Sequence, residues 1–216
     1  MQEVHKEVPL AIDIEASGST PGRYALLSIG TCIVTSEVHT YEEAKNRGLL
    51  FYEELRPHTQ EFDLSALRVG CSELEVLKDK GDPSNPKKSS FNPSYTMGLL
   101  ARVASDSIIV AKKFRAFIQS HSRGGDEITG IADTAFFDSA WMQWWFGKHR
   151  PELSPIHFHH LGLDLRSVLV GHQINLDAKL KDLGAPRNEC PHHAGHDALY
   201  LANQTSILFR KLGFKL

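Results

Sequence analysis

Two carboxylates, Asp13 and Glu15, stand inside a short apolar run, Val8-Pro9-Leu10-Ala11-Ile12-Asp13-Ile14-Glu15. Such a run forms a buried strand, and strand side chains alternate, so the two acids share a face about 6–7 Å apart. Two like charges buried side by side are costly unless a cation lies between them. Divalent cations would relieve that cost and make the pair metal ligands. The plainer alternative is a strand end whose acids reach water. A second candidate stretch is Ala132-Asp133-Thr134-Ala135-Phe136-Phe137-Asp138. Asp133 stands where a helix N-cap belongs, and capping is the usual role of Asp there. Asp138 lies just over one turn in, among Phe136, Phe137 and Trp141, where an unpaired carboxylate is poorly solvated. The third is Pro191-His192-His193-Ala194-Gly195-His196-Asp197-Ala198, in which a histidine precedes an aspartate by five residues across a glycine. Taken alone, Asp197 is an acid favoured by a helix dipole, and His192 is a loop histidine.

The elements that must position these groups follow from hydrophobic period and turn chemistry. After Glu15, the small-residue loop 16–22 leads to a second buried strand, 25–34, and a third, 48–55, ends before Pro57. Short connections make the three an antiparallel meander. Leu67, Leu74 and Leu77 are spaced as in a helix over 65–80, interrupted by Gly70. Residues 81–94 hold Pro83, Pro86 and Pro93 among Ser and Asn, and are expected to form a mobile loop. An amphipathic helix is expected over 99–118, then a strand at 128–132 and an aromatic-rich helix over 134–148. A strand at 156–160 precedes helices at 165–170, 176–183 (closed by Gly184) and 197–212. Strands first and then alternating helices and strands predict an α/β protein, a mixed sheet flanked by helices. No internal repeat or low-complexity tract is present, and residues 1–216 are expected to form one domain.

The 216 residues are 41% hydrophobic and 23% charged, ordinary values for a globular chain with a substantial core. No apolar run approaches the ~20 residues of a membrane span, and the first residues lack a signal-peptide pattern. The three cysteines are far apart and form no CxxC pair, which excludes a disulfide framework and fits a reducing cytoplasm. A net charge of −2 is not the basic footprint of a protein that grips long duplex. Twelve histidines raise a zinc hydrolase, but no HExxH spacing occurs. Of His157, His159 and His160, only the first two share a strand face, and a structural role is expected.

Asp13-x-Glu15 in the first strand, Phe137-Asp138 after a mid-chain strand and His192-x-Ala194-x-x-Asp197 near the C-terminus together resemble the DEDDh 3′–5′ exonucleases. These are ribonuclease-H-like nucleases such as oligoribonuclease, ribonuclease T and the proofreading subunit of DNA polymerase III. The motifs stand in family order over residues 8 to 212, and Leu176-Asp177-Ala178-Lys179-Leu180 to Gly184 is similar to the family's segment before the last motif. The resemblance implies a ribonuclease-H-like fold and removal of 5′-mononucleotides from single-stranded or short nucleic acids at the 3′ end. It implies Asp13, Glu15, Asp138 and Asp197 as ligands of two Mg²⁺ or Mn²⁺ ions, with His192 as general base. It further implies recognition of the 3′-OH by Glu15 and the backbone at Ala16 and Ser17, and a terminal base held by Leu26, Leu27 and Phe137. The expected partners are DNA or RNA 3′ ends, without a membrane. The homodimer of several relatives is one oligomeric form left open. Asp133 stands one residue further from Asp138 than the family's Asn, and Val69-Gly70-Cys71 replaces its His-Gly. These departures bear on substrate choice. A binding module of the same fold without catalysis is the alternative reading.

Overall fold

The structure, a computed structural model, describes residues 8–122, 127–133, 135–158, 162–171 and 184–213. Its centre is a mixed sheet of strands β1 (Val8–Ala16), β2 (Leu26–Ile33), β3 (Leu50–Glu54), β4 (Glu127–Ala132), β5 (His157–Phe158) and β6 (Leu163–Asp164). The order is β3-β2-β1-β4-β5, with β6 also pairing β4. β1 to β3 form the expected antiparallel meander, while β4 runs parallel to β1. A parallel partner requires a crossover, and the helices between β3 and β4 supply it. Every residue of β2 is buried, Ser28 and Thr31 included, as in a strand covered on both faces.

Among the described residues the helices are α1 (Tyr41–Asn46), α2 (Leu64–Gly70), α3 (Pro93–Val103), α4 (Ser107–His121), α5 (Ala135–Lys148), α6 (Arg150–Leu153), α7 (Leu165–Gly171) and α8 (Ala194–Leu212). α1 was not expected. Thr40 and Glu43 form a capping box there, each side chain bonding the other's backbone N–H. The single helix expected over 99–118 is two, α3 and α4. Its break at Ala104 to Asp106 lets the Asp106 carboxylate accept the Ile108 N–H at 2.9 Å and cap α4. The helix expected over 65–80 stops at Gly70, and a 3-10 turn, Glu75–Leu77, follows. The helix expected over 176–183, the family segment that contains it, and His159 and His160 lie outside the described residues. His157 is exposed, with its Nδ1 3.0 Å from an Arg150 guanidinium nitrogen.

Two apolar clusters hold these layers together. The larger packs α4, α5 and α8 on the sheet through Leu10, Ile12, Phe114, Trp141, Trp145 and Leu208. The smaller gathers Leu27, Leu67, Leu74, Phe91, Met97 and Leu100 beneath α2 and α3. Phe91 anchors the segment 81–94 in that second cluster. The segment folds through a 3-10 turn, Asp82–Ser84, with Asn92 N–H donating to the Pro83 carbonyl at 2.8 Å.

Candidate active site

Asp13 is paired with Gly30 and Glu15 with Ser28 across β1 and β2, so the two acids share one face of the sheet. The start of α8 lies on this face. A Cβ at Gly30 would come within 2.0 Å of the Ala194 carbonyl oxygen, so only glycine lets α8 descend so far. That approach brings Asp197 and the preceding loop over the strand acids. Ligand atoms of Glu15, His192 and Asp197 all lie within 4.8 Å of one another.

Asp138 arrives by a different route. The parallel pairing of β1 with β4 ends at Ala11 and Ile131, which leaves the far end of β1 without a strand on that edge. The Ile14 N–H there donates to Asp138 Oδ1 at 3.3 Å. The first turn of α5 thereby brings a further carboxylate to β1, where its charge acts on both Asp13 and Glu15.

The electrostatics are those of crowded, buried acids. Burial raises the Asp13 carboxyl well above its ordinary range, and the charges of Asp138, Glu15 and Asp197 push it further. Glu15 is raised well above its range by burial and then by Asp197 and Asp138. Burial lifts Asp138 to about 7 against the opposing Ile14 hydrogen bond. Asp197 is also raised by burial, while Asn188 and the His192 N–H resist the shift. Asp13 Oδ2 is buried with no hydrogen-bond partner among the described residues. A buried, unpartnered carboxylate oxygen among three further acids is a donor set suited to hard divalent cations.

His192 is exposed and takes a left-handed backbone, φ +67°. Its N–H donates to Asp197 Oδ2 at 2.7 Å, and Asn188 Nδ2 donates to the other Asp197 oxygen. Asn188 went unnoticed in the sequence because nothing in its own surroundings marks it. His193 is buried and caps α8, its Nδ1 accepting the His196 N–H at 3.3 Å. His196 stacks on Tyr41, with ring centroids 3.8 Å apart and planes 4° from parallel.

Other expected site residues lie elsewhere. Leu26 is 3% exposed and Leu27 1%, each sealed in a core cluster, so neither presents a face to a base. A strand buried on both sides carries no sequence signal of which residue borders a cleft. Phe137 is half-buried against the larger core, and its neighbour Phe136 is 95% exposed. Ser17 is fully buried: its N–H donates to the Ala25 carbonyl and its carbonyl accepts the Asp63 N–H, both at 2.8 Å. Its backbone N–H is therefore unavailable to a 3′-OH. Among the described residues the Asp133 side chain is paired with α7. Both its oxygens accept from the Arg166 guanidinium, at 2.9 and 2.8 Å.

No protein-family model matches the chain. A 3′–5′ DNA exonuclease of Escherichia coli, Cap18, is 24% identical over 202 residues, 91% of this chain and 89% of that protein. The nuclease domain of 3′hExo, a DEDDh family member bound to rAMP, superposes with a TM-score of 0.61 at 14% identity, covering 99% of this chain and 96% of that one. S. pombe Pop2p in its Mg²⁺- and Mn²⁺-bound form gives a TM-score of 0.53 at 15% identity over 95% of this chain and 83% of that one. The fold is the ribonuclease-H-like fold of the DEDDh 3′–5′ exonucleases, as the sequence motifs imply.

Proposed function

We propose that this chain is a metal-dependent 3′–5′ exonuclease, a single domain that removes 5′-mononucleotides from single-stranded or short nucleic acids. The observation that carries this reading is the convergence of four acids from β1, α5 and α8: Asp13 lies within reach of the charges of Asp138, Glu15 and Asp197, Asp138 accepts the Ile14 N–H, and ligand atoms of Glu15 and Asp197 lie within 4.8 Å of each other and of His192. Those four carboxylates would hold two Mg²⁺ or Mn²⁺ ions, and Pop2p, similar in fold, is known in a form bound to both metals. Bound divalent metal supplies Lewis-acid stabilisation of the phosphate and acidifies water.

The chain's own groups supply the rest. The His192 imidazole, beside Glu15 and Asp197, removes the proton of the attacking water. Its exposure returns that proton to solvent. Glu15 and the Ala16 backbone engage the 3′-OH, and Phe137 contacts the terminal base. The resemblance to a DNA exonuclease favours DNA among substrates. The three cysteines, all free, suit a reducing cytoplasm.

A 3′-labelled and a 5′-labelled oligonucleotide, each with Mg²⁺, Mn²⁺ or EDTA, test the reading. Immediate mononucleotide release from the 3′ label, only with metal, is expected. Asp13→Ala and Asp197→Ala should each abolish it while the protein stays folded. Binding without cleavage in every metal, or near-normal turnover in either variant, would sink the assignment.

A further inference from the structure

Asp13, Gly30 and Tyr52 stand opposite one another across β1, β2 and β3, so their side-chain positions fall on one face. Gly30 leaves a gap in that row, and the start of α8 fills it between Asp13 and Tyr52. There the Tyr52 ring stacks on His193, with centroids 4.1 Å apart and planes at 27°. A Cβ on Gly195 would stand 3.2 Å from Tyr52 Cβ, so the helix start is seated directly against this residue.

His193 is held on every side. Its Nδ1 caps α8 through the His196 N–H, and its Nε2 lies 3.6 Å from a Glu75 carboxylate oxygen. The Tyr52 hydroxyl donates to the buried Glu54 carboxylate. Glu54 also accepts the backbone N–H groups of Glu75 and, at 2.9 Å, Val76. Contacts therefore run in a closed ring from Tyr52 through Glu54, Glu75 and His193 back to Tyr52. Such a ring fixes the stacked tyrosine more firmly than the stack alone.

The residue before His193 is His192, whose φ of +67° is one that non-glycine residues keep only when their surroundings impose it. On one side Asp197 holds the His192 N–H. On the other, His193 is locked by Tyr52. We propose that Tyr52, braced by Glu54, is a positioning residue: it fixes His193 so that His192 keeps the left-handed turn that sets its imidazole beside Glu15 and Asp197. This inference rests on His192 acting as general base.

Tyr52→Leu removes the stack and Tyr52→Phe keeps it. On an oligonucleotide with metal, Tyr52→Leu should lower kcat by about 10- to 100-fold, the effect of a displacement near 1 Å, with KM changed less than about threefold. Tyr52→Phe should restore kcat to within about fivefold of the natural chain. In a His192→Ala background Tyr52→Leu should cost almost nothing further, because the group it positions is gone. A readout independent of activity is hydrogen exchange of the His192 amide, expected to quicken on the order of tenfold in Tyr52→Leu and about threefold in Tyr52→Phe, which keeps the stack and loses only the Glu54 brace. If Tyr52→Leu does not fold, Glu54→Gln takes its place, with exchange at His192 quickened about threefold. Unchanged exchange at His192 in the folded variant overturns the proposal, as does an equal loss of kcat in the His192→Ala background. Absence of hydrolysis by the natural chain overturns the exonuclease reading instead, and amide exchange then decides the clamp by itself.

Discussion

At the scale of single residues, the site is a set of acids whose charges oppose folding unless cations are present. The folded Asp13 binds its proton more tightly than the unfolded chain does, and so does Asp138, at about 7. A raised carboxyl makes the folded state the better proton binder, so without metal its contribution to stability falls as pH rises through the window from about 4 to 7. Asp13→Asn removes one of the crowded charges. In EDTA at pH 8 it should melt about 3–6 °C above the natural chain, and the gain should vanish by about pH 4. Equal melting temperatures at both pH values would show that the acids do not crowd one another. The histidines divide more sharply. His192→Ala should lower turnover by roughly 10²–10⁴-fold, the range of a general base. His196, stacked on Tyr41 and facing away from that role, should matter far less when replaced by alanine. A more damaging His196→Ala would place the motif out of register. Strand period alone puts Asp13 and Glu15 on one face, as their pairing with β2 shows, but their reading as metal ligands with Asp138 and Asp197 came from the resemblance of the three motifs. What they touch was not legible: Asp138 reaches Ile14 across 124 residues, and its use of an unpaired strand N–H depends on where β4 stops. Likewise, nothing local to Leu26, Leu27 or Ser17 foretells that each is sealed by packing or hydrogen bonds.

At the scale of elements, one glycine decides whether the third motif meets the first. The helix start passes so close to β2 that a methyl group at Gly30 would collide with the backbone at Ala194 and Gly195, at 2.0 to 2.5 Å. Backbone cannot rotate aside as a side chain does, so α8 must lift from the sheet. Gly30→Ala should cost at least about 3 kcal/mol, the upper range of overpacking, measured by urea denaturation. It should also cut turnover more than any other single-methyl change in β2, because Asp197 and His192 move with the helix. A variant with normal stability and turnover would mean that α8 does not lie on Gly30. β1 to β4 were legible from their apolar runs and α8 from its period, whereas the two residues of β6 are too short a run to be read. The expected 197–212 helix begins three residues earlier, at Ala194, since a histidine is an uncommon cap and gives little signal. α1 had its signal, Thr40 with Glu43 three residues on, but its six residues are too few for a periodic stripe. The break between α3 and α4 was marked only by Ser105-Asp106, inside an otherwise continuous apolar pattern.

At the scale of the whole molecule, charge decides how much of a strand the protein can hold. The net charge is −2, and many of the cations face acids of the same chain. Lys87 lies 2.6 Å from Glu73, Lys113 2.5 Å from Glu53, Arg47 2.8 Å from Glu37 and Arg166 2.8 Å from Asp133. Exposed pairs of this kind add little stability, but each sets a carboxylate beside a cation that a phosphate would have to approach. Lys87 stands on the segment 81–94 that was expected to be a mobile loop, and here it is tied to Glu73, whose other oxygen is 3.6 Å from Cys190 Sγ, two residues before His192. That segment therefore borders the site through an ion pair and contributes no uncompensated charge at Lys87. On the proposed function, most of the attraction for nucleic acid would come from metal held by the acids, and so from the terminal nucleotides. Each phosphate neutralised on a single strand contributes about 0.7 to the slope of log affinity against log salt. One to three contacts give a slope of about −0.7 to −2, and catalytic efficiency should level off beyond about three nucleotides. Efficiencies on oligomers from two to twelve nucleotides, each at two salt concentrations, measure both quantities together. Efficiency that climbs steadily to the longest oligomer, with a slope steeper than about −4, would require about six or more phosphate contacts. An extended binding track would then run beyond the acids.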